Sequence, residues 1–298
     1  MVVGQRNRDR QRGGVSRARR SGDGGGVVGQ RRRALRYRAP PGSVRHVGVV
    51  HHRRLRPSRR QRFGHRRRTG HGLGGVHVRT PPSGVRVVDL CPSASGPHCV
   101  PAVNLDKHLH APNLNIATCA AQAAVPIVAA VARVGSVSYA EVVSSVAARS
   151  AGPEIRTAVD TFIETTNAAV RTVGGARRAR TVLVLNPADP PVLMRTTVYC
   201  LVGGEPDHRA VEESVVEMVD RVRDYAPGYR LTQRVQFATF TGARPLWIPE
   251  TGAFVGTRVT ALLEVAAAAD SGLPAHAGNI DIINCAAARI RECIGRAG

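Results

Sequence analysis

No apolar run in this chain approaches the ~20 residues a membrane-spanning helix needs. The N-terminal arginines are followed by no apolar core, so the start does not read as a secretory signal. Six cysteines (91, 99, 119, 200, 285 and 293) form no C-x-x-C pair and no paired ligand spacing. That argues against a zinc site or a disulfide framework and for a reducing cytosol. Acid is nearly missing at first: residues 1–86 hold 24 arginines, no lysine, and only Asp9 and Asp23. Large aromatics are scarce as well, and Tyr37 and Phe63 are the only Phe, Trp or Tyr among those arginines. No stacking platform for bases is interleaved with the charge.

What remains is uneven. The formal charge of +22 belongs wholly to residues 1–86, because 87–298 carry 19 basic and 19 acidic residues. In the first stretch Leu35, Leu55, Phe63 and Leu73 follow neither the 3.6 nor the 2 period. Such a chain cannot bury enough apolar surface to offset its ordering entropy, so disorder is expected there. Two G-x-G-x-x-G matches (Gly24/Gly26/Gly29 and Gly70/Gly72/Gly75) lack a preceding strand, and no acid falls between Asp23 and Asp89 to meet a ribose. They read as chance matches in a glycine-rich stretch. The arginines fit a phosphate-binding arm. The abrupt change to ordinary composition near Val85–Asp89 fits better a GC-rich segment translated in an unintended frame.

From Val87 onward strands and helices alternate, which predicts an α/β or α+β architecture. Val87–Leu90 and Thr181–Leu185 read as buried strands, and Thr197–Val202 as another. The spacing of Tyr139, Val142, Val143 and Val146 predicts a helix over 138–149. Further helices are expected over 156–173 and 209–225, with a last one opened by Gly278-Asn279. The stretch around which these elements are organised is Asn113-Leu-Asn-Ile-Ala-Thr-Cys119-Ala-Ala-Gln-Ala-Ala-Val-Pro126. A strand-like approach ends at a thiol and a small-residue helix follows. There the free N–H groups and helix dipole favour thiolate, the nucleophilic form. Cys119 is thus a candidate for covalent catalysis, against the alternative of a small buried hydrophobe.

Ile116-Ala-Thr-Cys119-x-x-Gln122-Ala-x-x-Pro126 resembles the thiol signature of the acetaldehyde dehydrogenases (acetylating) of aromatic meta-cleavage catabolism. Asp89-Leu-x-Pro92, Ser150-Ala-Gly-Pro153, Glu164-Thr-Thr, Leu185-Asn-Pro-Ala-x-Pro-Pro191, Met194-Arg195, Pro227-Gly-Tyr-Arg-Leu and Leu273-Pro-Ala-x-Ala-Gly-Asn279-x-Asp-Ile extend the likeness over 87–298. The resemblance implies oxidation of a short aldehyde to its acyl-CoA in the cytoplasm, with NAD as cofactor and coenzyme A as co-substrate. Cys119 would be the nucleophile. Ser150, Ala151, Gly152, Pro153, Arg156 and Asn279 would face the nicotinamide end of NAD, and no metal is implied. It implies a homodimer within a larger assembly with a 4-hydroxy-2-oxovalerate aldolase. The expected layout is a disordered or frame-shifted segment 1–86, then the remnant of a Rossmann-type NAD domain over 87–118. A catalytic and dimerisation domain over 119–277 follows, and a C-terminal helix over 278–298 returns to the NAD domain.

Four departures from the family pattern predict an impaired enzyme. Its two glycines after the thiol are Ala120 and Ala121 here, and its Gly-Thr after Ser-Ala-Gly-Pro is Glu154-Ile155. An asparagine of the same loop is Ala158. The acid after Met-Arg, which serves the thiol as base, is Thr196. A catalytically decayed partner of the aldolase is the rival reading, and nucleic-acid binding through the arginines is a third.

Overall fold

Strands and helices alternate from Arg86 onward in the computed structural model, which describes residues 47–50, 86–90, 96–152, 155, 158–249 and 251–297. Three short strands, β1 (Val47–Val50), β2 (Arg86–Asp89) and β3 (Asn113–Asn115), form a parallel sheet in that order, with the one-turn helix α1 (Pro101–Asn104) between β2 and β3. Within the segment expected to be disordered, Val47–Val50 forms a four-residue strand, three valines around one glycine being a strand-forming run. The rest of 1–85, with both glycine-rich matches, lies outside the described residues. Among the described residues no helix is long and apolar enough to cross a membrane.

A larger sheet follows, in the order β5 (Ala179–Asn186), β4 (Val137–Ala147), β6 (Met194–Val202), β11 (Gly256–Val265) and β7 (Tyr229–Leu231). Strand β8 (Gln236–Phe240) also pairs with β11, further along the same edge as β7. Between β8 and β11 the hairpin of β9 (Leu246–Ile248) and β10 (Gly252–Phe254) forms a sheet of its own. Only β4 and β5 run parallel in the large sheet, and the helix α3 (Val159–Thr172) makes the crossover between them.

Segment 138–149 is thus a strand and not a helix. Val142, Ser144 and Val146 are buried, while Glu141, Val143 and Ser145 are half-buried on the opposite face. The apolar spacing fits either period, and β-branched residues with a partner strand on each side decide for strand. Thr181–Leu185 was expected fully buried, yet β5 is the sheet edge and Val184 remains 42% exposed.

One face of the large sheet carries α2 (Cys119–Ala132), α3 and α4 (His208–Arg223). Val142, Val146, Val198 and Leu263 meet Phe162, Val170, Val211, Val215, Met218 and Val222 there, in a core built around α2. Helix α2 is buried from Cys119 to Val131, as a small-residue helix that is apolar but for Gln122 must be. Asp207 caps α4 by accepting from the N–H groups of Arg209 (2.9 Å) and Ala210 (3.1 Å). The C-terminal helix α5 (Gly278–Ala297) joins both sheets. Its Ile282 belongs to the large core, and its Ile290 and Ile294 close a second cluster on Val88, Leu114 and Ile116. A Cβ on Gly278 would lie 2.0 Å from the Val265 carbonyl oxygen, so only glycine lets this helix start against the end of β11.

Among the described residues, the other face of the large sheet carries no helix. The β9–β10 hairpin covers one end, where Ile248, Leu246 and Phe254 pack on Tyr139 and Leu201. Glu264 is 5% exposed on this face and accepts from Arg230 and Arg195 (Nε at 3.1 and 3.3 Å). The Arg230 hydrogen bond, and then that of Arg195, hold its carboxyl below the ordinary range despite burial. A depressed carboxyl contributes stability above its unfolded value, near ~4.3, and loses it as pH falls through the folded value. Glu264→Gln is expected to cost about 1–2 kcal/mol at pH 7 and to flatten the loss of stability between about pH 5 and 3. Urea unfolding at pH 7, 5 and 3.5 checks this, and an unchanged acid limb would refute it.

Candidate active site

Strand β3 ends at Asn115, and the chain must then reverse into α2 within three residues. Ala117 makes the turn with φ of 57°, the one positive value at a non-glycine residue among the described residues. The Asn115 side chain fastens it, accepting from the Ala117 N–H at 2.6 Å. Thr118 is then extended (φ −130°, ψ 163°) and caps α2, its hydroxyl accepting from the Ala121 N–H at 3.0 Å. Thr166 donates its own proton to the Phe162 carbonyl (2.7 Å), so in the 2.7 Å contact between the two hydroxyls Thr118 is the donor. Cys119 follows as the first residue of the helix.

The N–H groups of Ala120 and Cys119 meet the thiol and lower its pKa, as a helix start should. Burial outweighs them and pushes the Cys119 thiol up to about 12. The expected thiolate is therefore corrected: the side chain is 4% exposed, and desolvation keeps the proton on sulfur. Ala120 and Ala121 are wholly buried behind it. Thr196 lies on the helix-facing side of β6, also wholly buried, with its hydroxyl 3.0 Å from that of Ser144 on β4. Where the family pattern has an acid, this fold holds two hydroxyls that satisfy each other.

Ser150 and Asn279, 129 residues apart, are brought together. Asn279 Nδ2 donates to the Ser150 carbonyl at 3.2 Å, while Ser150 Oγ donates to the Ala147 carbonyl at 3.0 Å. Asn279 is 3% exposed and its Oδ1 is buried without a partner among the described residues. Ala151 is buried and Gly152 half-buried next to Ser150. Pro153, Glu154 and Arg156 lie outside the described residues. Three contributors were not singled out from the sequence: the left-handed Ala117, the Thr118–Thr166 pair and Ser144. Only Thr118, a cap-type residue before an apolar run, carried a local signal. Among the described residues no group of three His, Cys, Asp or Glu side chains could hold a metal ion.

The family model for prokaryotic acetaldehyde dehydrogenase, dimerisation, matches residues 119–274. A protein of Mycolicibacterium vanbaalenii named probable inactive acetaldehyde dehydrogenase 1 is 61% identical over 212 residues, which are 71% of this chain and 67% of that one. Acetaldehyde dehydrogenase 1 of Mycobacterium ulcerans is 55% identical over 71% of this chain and 63% of its own length. Acetaldehyde dehydrogenase 4 of Burkholderia lata is 52% identical over 71% of this chain and 67% of its own. The chain thus spans about two thirds of the length of the relatives it matches. Aspartate semialdehyde dehydrogenase II of Vibrio cholerae superposes with a TM-score of 0.43 at 14% identity, over 72% of this chain and 71% of that one, a likeness too low to decide anything. The match over the dimerisation region and the 61% identity are decisive: this chain belongs to the prokaryotic acetaldehyde dehydrogenase family.

Proposed function

We propose that the protein descends from an enzyme that oxidises acetaldehyde, with NAD and coenzyme A, to acetyl-CoA through a Cys119 thioester, and that the present chain performs this reaction poorly. The placement of Cys119 at a capped strand-to-helix elbow in the matched region carries the reading. Attack of the thiolate on the aldehyde carbon forms a C–S bond, and the carbonyl oxygen takes up a proton. The resulting thiohemiacetal carbon gives up a hydride as its hydroxyl loses the proton, leaving the thioester. The thiol of coenzyme A then attacks the acyl carbon, and the Cys119 sulfur leaves. A positioned base should take the Cys119 proton first. Thr196 and Ser144 cannot do so near neutral pH, and the buried thiol is a weak acid.

The residues at the nicotinamide end fit the cofactor. Asn279 presents a buried acceptor that no group among the described residues uses, suited to a carboxamide N–H. The Ser150 carbonyl accepts from its Nδ2, and Ala151 and Gly152 follow in the chain. When bound, NAD would supply the hydride acceptor. Glu154 places a carboxylate in the sequence next to this phosphate-bearing group, an unfavourable pairing. Residues 87–118, with β2 and β3, are read as the remnant of the Rossmann-type domain, residues 119–277 as the thiol and dimerisation domain, and 278–298 as the returning helix.

The helix-free face of the large sheet is read as the homodimer interface. Val143, Val182, Val184 and Leu262 give it an apolar stripe. Arg258 lies between the Tyr199 and Phe240 rings (5.5 and 5.6 Å) with its Nε buried and unpartnered among the described residues. A 4-hydroxy-2-oxovalerate aldolase as source of acetaldehyde, a role in aromatic catabolism and a cytoplasmic site rest on the resemblance alone. NADH formation from acetaldehyde, NAD and coenzyme A by the purified chain is expected to fall ~10²–10⁴-fold below ordinary enzyme rates. Ordinary turnover that disappears in Cys119→Ser would overturn the assignment of impairment.

A further inference from the structure

Gln122 is wholly buried one turn into α2, and its carboxamide reaches back under the elbow that precedes Cys119. Nε2 donates to the Ile116 carbonyl at 2.7 Å and to the Cys99 carbonyl at 2.9 Å. Two carbonyl neighbours fix which end of the amide is nitrogen. Oε1, in contrast, is buried with no partner among the described residues. Both donors are used and the acceptor is idle, so this side chain is present for what it donates.

The position of those carbonyls says what the donation achieves. Ile116 immediately precedes Ala117, whose left-handed backbone sets a Cβ against a carbonyl oxygen. A conformation of that kind persists only where its surroundings over-determine it. Asn115 Oδ1 holds the Ala117 N–H from one side, and Gln122 holds the preceding carbonyl from the other. The second bond ties the same turn to Cys99, whose N–H donates to the Asn115 carbonyl at 2.7 Å. Removing the amide releases the elbow at both carbonyls while leaving the Thr118 cap in place.

We propose that Gln122 is a positioning residue for the thiol: its carboxamide holds Ala117 in the left-handed turn and so keeps Cys119 seated in the interior at the head of α2. The inference rests on Cys119 being the ancestral nucleophile, but its test reads thiol burial and not turnover, so either reading can fail alone. Iodoacetamide labelling of the full chain at pH 8, followed by peptide mass spectrometry, compares Cys119 with Cys200, which is equally buried on β6 and far from Gln122 in sequence. Gln122→Met is expected to speed labelling of Cys119 about 10-fold or more, with Cys200 unchanged. Adding Ala117→Gly, which makes the left-handed turn free of strain, should return most of the protection. If Cys119 and Cys200 speed up together, if Cys119 does not respond, or if Ala117→Gly restores nothing, the proposal is wrong. Should Gln122→Met fail to fold, Gln122→Glu keeps the shape. Its ionised form repels both carbonyls and its neutral form donates once, so Cys119 labelling relative to wild type should rise between pH 5.5 and 8.5. A flat ratio would refute the clamp.

Discussion

Thr196→Asp is expected to raise the rate at which p-nitrophenyl acetate acylates Cys119 by about 10²-fold at pH 7.5, within the usual worth of a positioned proton acceptor. This ester needs neither NAD nor coenzyme A, so the result isolates the thiol and its base from the nucleotide half. The sign follows from the site. With its thiol pushed up to about 12, Cys119 is ionised in only about one molecule in 10⁴–10⁵ at pH 7.5. The acylation rate of the wild-type chain should therefore climb about tenfold per pH unit from 7 to 10. A carboxylate at 196 takes the proton as the C–S bond forms, so the profile of the variant should flatten above the titration of that group. Thr196→Asn matches Asp in shape and cannot accept the proton, and it should give no gain. A Thr196→Asp chain no faster than wild type, or a gain that survives Cys119→Ser, would show that the loss of the acid is not what silences the thiol.

An aspartate at Val143 or Leu262 is expected to convert a dimer into a 31.7 kDa monomer. Both side chains are half-buried on the helix-free face of the large sheet, on β4 and β11, while their neighbours Val142 and Leu263 point into the core. In an isologous dimer each substitution enters the interface twice. An uncompensated buried carboxylate costs about 3–5 kcal/mol, so two of them weaken association by about 10⁴-fold or more. Folding should survive, because neither side chain is part of the helix-facing core. Analytical ultracentrifugation at micromolar concentration, with circular dichroism as the folding control, decides the matter. Dimers that persist in both variants would exclude this face.

The helices were legible because their signals are local. Asp207 caps α4, glycines end α3, and the small apolar run from Cys119 can only be a buried helix. Residues 138–149 were misread because Tyr139, Val142, Val143 and Val146 satisfy a helical period by accident. The deciding fact, a partner strand on each side, is non-local. The helix start at Cys119 was legible in the sequence, and the protonation of its thiol was not. A helix start is visible in sequence, whereas the burial that outweighs it is a property of the packed core. Ser144 escaped notice for the same reason, since only the β4–β6 register sets it opposite Thr196.

The reach of α5 across both cores has a consequence during synthesis. Val88, Leu114 and Ile116 emerge from the ribosome early, but the isoleucines that cover them, Ile290 and Ile294, are nearly two hundred residues away. At about 5–20 residues per second, those side chains wait on the order of ten seconds or more without their cover. The large sheet and its helices can close around α2 in that interval, leaving the small parallel strands as the most chaperone-dependent part of the nascent chain.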